Sequence, residues 1–258
     1  MSFKRLTIAV SIGVFCIYAG LILCLFYFYK GSLFAETLFS ERVLFSVRLS
    51  LITATIATAI SVLVALPSAY ALSRYNFFGK QIVDTLLELP MIVSPVSLGA
   101  MILISFNTPA GQFIQEKGIQ FVFTVYGILL AQFVTTVGVA IRLIKAAMDE
   151  IPQVYEDVAK TLGATPLDAF LTVVLPLSKR GIIASSVLTW AKAVGEFGAT
   201  ITVAGSMAMK TETLPVAIFM RLAAADIEGT AVLVLILVTI GLGVLYGVRL
   251  FASKKSYG

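Results

Sequence analysis

Residues 152–176 read PQVYEDVAKTLGATPLDAFLTVVLP, the longest run that the chain keeps polar between apolar segments. Its punctuation is that of a small folded unit. Pro152 suits a first helical position, Glu156 and Asp157 fall in the early turns, and Gly163 closes the run. A second start follows at once, with Thr165 as N-cap, Pro166 at N1 and Asp168 as the acidic N3 partner. The spacing predicts a short helix, a tight turn and a second helix ending near Pro176. Two helix starts in a row exceed what a connector needs, so the segment reads as a docking surface positioned by the rest of the chain.

That remainder is hydrophobic. Of 258 residues 59% are apolar and only 13% charged, with a mean hydropathy of +0.99. A soluble domain carries about 25% charged residues, so the chain is an integral membrane protein. A bilayer helix needs about 20 mostly apolar residues. Residues 7–29, 49–73, 89–108, 119–141 and 229–248 meet this without a charge, and 181–204 does so apart from Lys192 and Glu196. Long unbroken runs favour helices over the alternating strands of a barrel. The expected fold is therefore all-α, with six membrane helices.

Cationic residues orient the bundle. With both termini in the cytoplasm, inner segments carry 12 Lys and Arg, among them Arg74, Lys145 and Lys160 and the tail's Lys254 and Lys255. Outer segments carry 6, including Lys30 and Arg42. The positive-inside rule then puts 152–176 in the cytoplasm. This bias accounts for the net charge of +5, and nucleic acid is not an implied partner. Cys16 and Cys24, eight residues apart on one span, are about 12 Å apart at 1.5 Å per residue and do not bridge each other. The first run lacks a small-x-small exit before Lys30, so it reads as an uncleaved helix rather than a signal peptide.

Within the spans, three features stand out. The second run is rich in Ser, Thr and Ala, which lets helices approach closely in lipid. Pro90 and Pro95 at the start of the third predict an irregular beginning or a kink. Such broken backbone survives in a membrane only inside protein or along a cavity. In the fifth, Lys192 and Glu196 stand four apart, neighbours on one helix face. Each charge at mid-bilayer costs about 2.5–3.5 kcal/mol. They read either as a mutual pair with a structural role or as groups facing a hydrated route, with Gly195 and Gly198 leaving room beside them. Gly241, Gly243 and Gly247 read as packing positions in the last span. Residues 31–48 read as an outer loop or an amphipathic interfacial piece, and 107–118 and 205–228 as outer loops.

Much chemistry is absent from the sequence. Without histidine there is no His-based acid–base or Ser-His-Asp catalysis and no common zinc site. No Gly-x-x-x-x-Gly-Lys-Ser/Thr run occurs, and no acidic cluster suits a metal. The chain does not read as an enzyme.

With these residues in view, the 152–176 segment resembles the "EAA" loop of ABC importer permeases: Glu156-Asp-Val-Ala159, then Gly163, then Leu175-Pro176. Asp157 stands where that family often has alanine. YNFFGK (75–80), LPMIVSP (89–95) and GEFGATI (195–201) are similar to the molybdate/tungstate branch, whose frame the sulfate permeases largely share. The resemblance covers 43–250 as the permease core, with 1–42 an extra leading helix and outer loop and 251–258 a cytoplasmic tail. It implies a type I importer permease fold whose loop docks on a separate ATPase subunit. Tyr155, Glu156, Asp157, Ala159, Gly163 and Ala164 would be the coupling residues, with Glu156 making polar contact in the ATPase groove, Ala159 allowing close approach and Gly163 shaping the turn.

The implied partners are a pair of ABC ATPase subunits holding ATP and Mg, a second permease copy, an extracytoplasmic oxyanion-binding protein and the bilayer. No cofactor is implied on this chain. A tetrahedral dianion crossing the bundle needs donors and moderate positive charge. Ser94, Pro95, Ser97, Lys192, Glu196, Thr200 and Thr202 are the pathway candidates, the hydroxyls reading more readily as structural. The alternatives are a sulfate-type permease and a self-sufficient ion-coupled carrier or channel using Lys192 and Glu196.

Overall fold

The apolar runs fold as helices, and no strand forms among the described residues, 3–28 and 31–254 of the computed structural model. Lys30, Lys255 and the end of the expected tail lie outside these. In chain order the helices are α1 (Phe3–Tyr27), α2 (Gly31–Leu38), α3 (Glu41–Arg74), α4 (Lys80–Leu87), α5 (Leu89–Ile92), α6 (Pro95–Phe106) and α7 (Pro109–Lys117). After them come α8 (Val125–Asp149), α9 (Val154–Thr161), α10 (Pro166–Ala169), a π-helical turn (Phe170–Val174), α11 (Leu175–Val194), α12 (Gly198–Ala204), α13 (Leu214–Ala223) and α14 (Ile227–Lys254).

Five segments are long and apolar enough to cross a bilayer: α1, α3, α8, Pro166–Val194 and Ile227–Gly247. The third expected span is bent instead. Lys80–Ile92 and Pro95–Phe106 meet at 114°, the geometry of a broken span or of a re-entrant loop, and only as a broken span is the pair a sixth crossing. The break falls at Val93 and Ser94, just before Pro95, where proline disfavours helical backbone in the preceding residue. The Ser94 hydroxyl restarts the helix by accepting from the Ser97 N–H at 3.2 Å.

The fifth expected span is also broken. It is not one helix over 181–204: α11 ends at Val194, and α12 begins at Gly198. The expected outer loops carry structure as well, since 107–118 contains α7 and 205–228 contains α13, with Leu214 to Ala217 buried. Much of 31–48 is likewise helical, because α3 starts at Glu41 rather than near residue 49.

Helix α3 is the pillar. At 1.5 Å per residue its 34 residues span about 51 Å, well beyond a hydrocarbon core of about 30 Å. Arg42 and Arg74, one at each end, therefore emerge on opposite faces. Ser46, Ser50, Ala54, Ala57, Ser61, Ala65 and Ala69 line one buried stripe of α3, at three- and four-residue steps. Ser61, Ala65 and Ala69 let α8 lie close along the second half of α3, with the Ser61 and Thr136 hydroxyls bonding across the seam at 3.0 Å, while Ala54 packs on Ala193 and Val194. Toward the Arg74 end the same interface becomes an apolar core of Tyr70, Leu72, Ile141, Ile144, Met148, Ile151 and Val174. By contrast, α1 buries no residue against the rest of the chain.

Two glycines on this scaffold are close approaches. A Cβ on Gly138 of α8 would sit 2.2 Å from the Leu87 carbonyl oxygen, so the α4–α5 junction rests directly on α8 backbone. A Cβ on Gly99 of α6 would lie 2.8 Å from Thr202 Cβ and 3.0 Å from Ala199 Cα, which is how α6 and α12 nest. Gly241, Gly243 and Gly247 differ from expectation. A Cβ on any of them meets nothing within 4 Å, so none of them is needed for a close approach to another described part of this chain.

Candidate functional site

The 152–176 segment folds as two helix starts about a turn. Helix α9 ends in a Schellman motif: the Ala164 N–H donates to the Ala159 carbonyl at 3.1 Å and the Gly163 N–H to the Lys160 carbonyl at 3.0 Å. Gly163 supplies the positive φ of +94° that this closure needs. Helix α10 then opens with a complete capping box. The Asp168 N–H donates to Thr165 Oγ1 at 3.2 Å and the Thr165 N–H to Asp168 Oδ2 at 3.1 Å.

The outward face of this unit is apolar. Tyr155, Val158, Leu162, Leu167 and Leu171 are all exposed, Leu162 at 84%. Asp157 is exposed beside Lys160, at 3.5 Å, while Ala159 and Ala164 are half-buried. An apolar patch at the polar end of a membrane bundle has the character of an interface awaiting a partner.

Glu156 does not belong to that face, which corrects its expected role as a contact to an outside groove. It alone among the residues of α9 is buried, at 1% exposure. Arg74 Nε donates to its Oε1 at 2.5 Å and the Tyr70 hydroxyl to its Oε2 at 2.8 Å. The helix period explains the orientation: Tyr155, Val158 and Leu162 share one face, and Glu156 points from the other into the bundle. Arg74 and Tyr70 were missed from sequence. An arginine ending an apolar run reads as positive-inside charge, and only the fold shows the acid 82 positions on that it answers.

At the other end of α3, Glu212 is buried to 1% and takes a two-pronged bond from Arg42, Nε and Nη2 each at 2.7 Å. The Leu214 N–H donates to Ser50 Oγ at 2.7 Å beside it. The segment 205–213 is thus fastened to the start of α3, far from 152–176.

The two broken spans face each other. Pro95 and Val96 of α6, Ala191 and Lys192 of α11, Gly195 to Phe197 of the break and Gly198 line one cleft of about 500 Å³. A Cβ on Gly198 would meet the Val96 backbone nitrogen at 2.9 Å, so the two breaks touch. Among the pathway candidates, the cleft gathers Pro95, Lys192 and Glu196. Ser94 and Ser97 are exposed beside it and bonded to each other at 2.8 Å. Thr202 turns its hydroxyl back to the Gly198 carbonyl at 2.7 Å, and Thr200 is buried with no bond to its hydroxyl.

Lys192 and Glu196 are not neighbours on a helix face, and no ion pair joins them. The break at Gly195 removes the i,i+4 geometry. Glu196 instead accepts the Ala199 N–H at 3.0 Å, satisfying an orphan donor at the start of α12. Lys192 has no ion-pair partner among the described residues. A further residue unremarked in the sequence, Gln132 of α8, secures the break by donating to the Ala193 carbonyl at 3.1 Å.

A bundle with two facing broken spans, a cleft lined by a lysine and a glutamate that do not pair, and a folded apolar knuckle at one end defines a class: a membrane component of a transport system that works with other chains. The chain belongs to the family of binding-protein-dependent transport system inner membrane components, which matches residues 57–257. It is 31% identical to the sulfate transport system permease protein CysT of Salmonella typhimurium, over 83% of this chain and 78% of that one. It is 36% identical to the molybdenum transport system permease protein ModB of Escherichia coli, over 67% of this chain and 77% of that one. The fold is that of a type I ABC importer permease. A chain in the crystal structure of a bacterial ABC transporter that imports alginate superposes with a TM-score of 0.78, at 15% identity, covering 98% of this chain and 96% of that one.

Proposed function

We propose that this chain is the permease subunit of an ATP-driven importer of a tetrahedral oxyanion, molybdate or tungstate first, in the inner cell membrane with both termini cytoplasmic. The observation that carries the reading is the apolar face of Tyr155, Val158 and Leu162, folded into one unit yet left exposed by the described residues. A pair of ATPase subunits, which hold ATP and Mg, seats there. Tyr155, Asp157, Ala159, Gly163 and Ala164 form or shape the contact surface, and Glu156 holds it from behind. A second copy of the chain completes the pathway, and an external binding protein delivers the anion to the opposite face, where Arg42 fixes the 205–213 segment.

The oxyanion class is supported by the sulfate and molybdenum relatives and by the presence of Lys192 at the cleft. The Lys192 ammonium attracts an anion in transit while Glu196 in the same lining moderates that charge, and the neighbouring serine hydroxyls supply donors without a tight cage. Sulfate is the second reading, favoured by the wider coverage of the CysT relative. The test is reconstitution of the chain with its ATPase and binding protein in proteoliposomes, followed by ATP-dependent uptake of labelled molybdate, tungstate and sulfate in competition. Molybdate or tungstate uptake that resists excess sulfate is expected. Preferential sulfate uptake would select the second reading, and uptake by the chain alone under an ion gradient would sink both.

A further inference from the structure

We propose that Arg74 is the joint that makes the knuckle and the last turn of α3 move as one body, a positioning residue for coupling rather than for substrate. The inference rests on the reading of 152–176 as the seat of an ATPase.

Arg74 is 7% exposed at its side chain and uses its whole fork. Nε donates to Glu156 Oε1 at 2.5 Å, Nη1 to Ser73 Oγ at 3.1 Å, and Nη2 to the Met148 and Ile151 carbonyls at 3.1 and 2.9 Å. One guanidinium therefore ties α9, the end of α3 and the end of α8. Tyr70, one turn earlier, occupies the second oxygen of Glu156 and lays its ring 4.8 Å from that of Phe170 in the π-helical turn. Ser73 donates to Asp149 alongside. The strands of chain that enter and leave the knuckle thus converge on a single turn of α3.

Stability alone does not explain this arrangement. A buried ion pair can usually be exchanged for packed apolar side chains at little cost in stability, whereas its directional bonds fix geometry. Glu156 is the sole buried side chain of α9, so among that helix's side chains it is the one anchored inside the bundle when a load falls on the exposed Val158–Leu162 face. From Arg74 the chain passes through the largely exposed turn 75–79 into α4 and α5, whose junction is seated on Gly138 of α8, and then to the bend at Ser94. Pro95 beyond that bend lines the cleft with Lys192. The packed part of the route from knuckle to cleft runs along α8, which Arg74 holds at its end and on which the α4–α5 junction rests, and Arg74 is its polar link.

The test uses the full transporter in proteoliposomes and reads complex yield, ATP hydrolysis and anion uptake separately. In Arg74→Gln the ATPase stays bound and hydrolyses, while uptake per ATP falls by about tenfold, within the usual range of coupling between linked sites. Arg74→Lys, one point charge in place of a fork, falls between. The variant Tyr70→Phe/Arg74→Met/Glu156→Leu guards against misfolding, because it removes the Tyr70 donor with the pair and leaves apolar side chains to pack. Intact assembly with lost uptake per ATP in that variant supports the joint. Intact assembly with parental uptake per ATP overturns it and leaves the docking reading standing. Failure of the parent chain to retain any ATPase overturns the docking reading and the joint with it.

Discussion

Gly138→Ala is the most direct probe of how the bent third span is held. The added methyl would sit 2.2 Å from the Leu87 carbonyl oxygen and 3.3 Å from its carbon. The obstacle is backbone, which no rotamer change can move, so α4 and α5 must lift off α8. Overpacking of this kind costs about 1–3 kcal/mol, occasionally more, and a backbone clash belongs near the top of that range. Alanine in place of glycine returns about 1 kcal/mol of helix propensity. The expected net loss is about 2 kcal/mol. Gly241→Ala serves as the internal control, because a Cβ there meets nothing within 4 Å; it should keep the propensity gain and raise stability. Thermal unfolding of the two purified variants in detergent should therefore move in opposite directions. Gly138→Ala should also depress uptake, because the displaced junction carries the bend before Pro95. A Gly138→Ala protein as stable as its parent would mean that the α4–α5 junction does not rest on α8.

Gly163→Ala should cost about 1–2 kcal/mol for a side chain at positive φ and slow uptake, with open space around the site sparing the fold. Gly163→Pro removes the N–H bonded to Lys160 and forbids φ of +94°, so the chain should insert normally yet fail to transport, as membrane fractionation beside uptake would reveal. Glu196→Ala should lose the bond to the Ala199 N–H, worth about 1 kcal/mol as a helix start, whereas Glu196→Gln keeps an acceptor and should melt like the parent. Equal damage in both would mean that the charge, and hence a link to Lys192, is what matters. Arg42→Ala leaves a buried Glu212 unanswered and should destabilise by about 3 kcal/mol, the low end for a broken buried pair, since Arg42 is itself 55% exposed. Adding Glu212→Gln should recover part of that loss in the same melting assay.

How much of the site was legible from sequence depends on the range of the interaction involved. The Thr165 cap with Asp168 was readable because it closes within one turn, and the break before Pro95 because proline acts on the residue beside it. The Lys192–Glu196 pairing failed for the opposite reason. Its spacing presumes a continuous helix, and the chain stops being one at Gly195, where Glu196 finds a backbone donor instead. Glu156 misled in a similar way, since an acid early in a polar helix looks solvent-facing until its partner on α3 is known.

Composition and hydropathy by themselves settled that the chain is a helical membrane protein, because in lipid every backbone polar group must be satisfied within its own segment. They also located the polar knuckle, because caps and turns are written in neighbouring residues. Tertiary structure alone decided which glycines bear contact and which stand in open space, and that Arg74 meets Glu156 and Arg42 meets Glu212. These outcomes depend on which helix lies beside which. That is set by packing between residues 82 or 170 positions apart, and no local pattern in a mostly apolar chain records it.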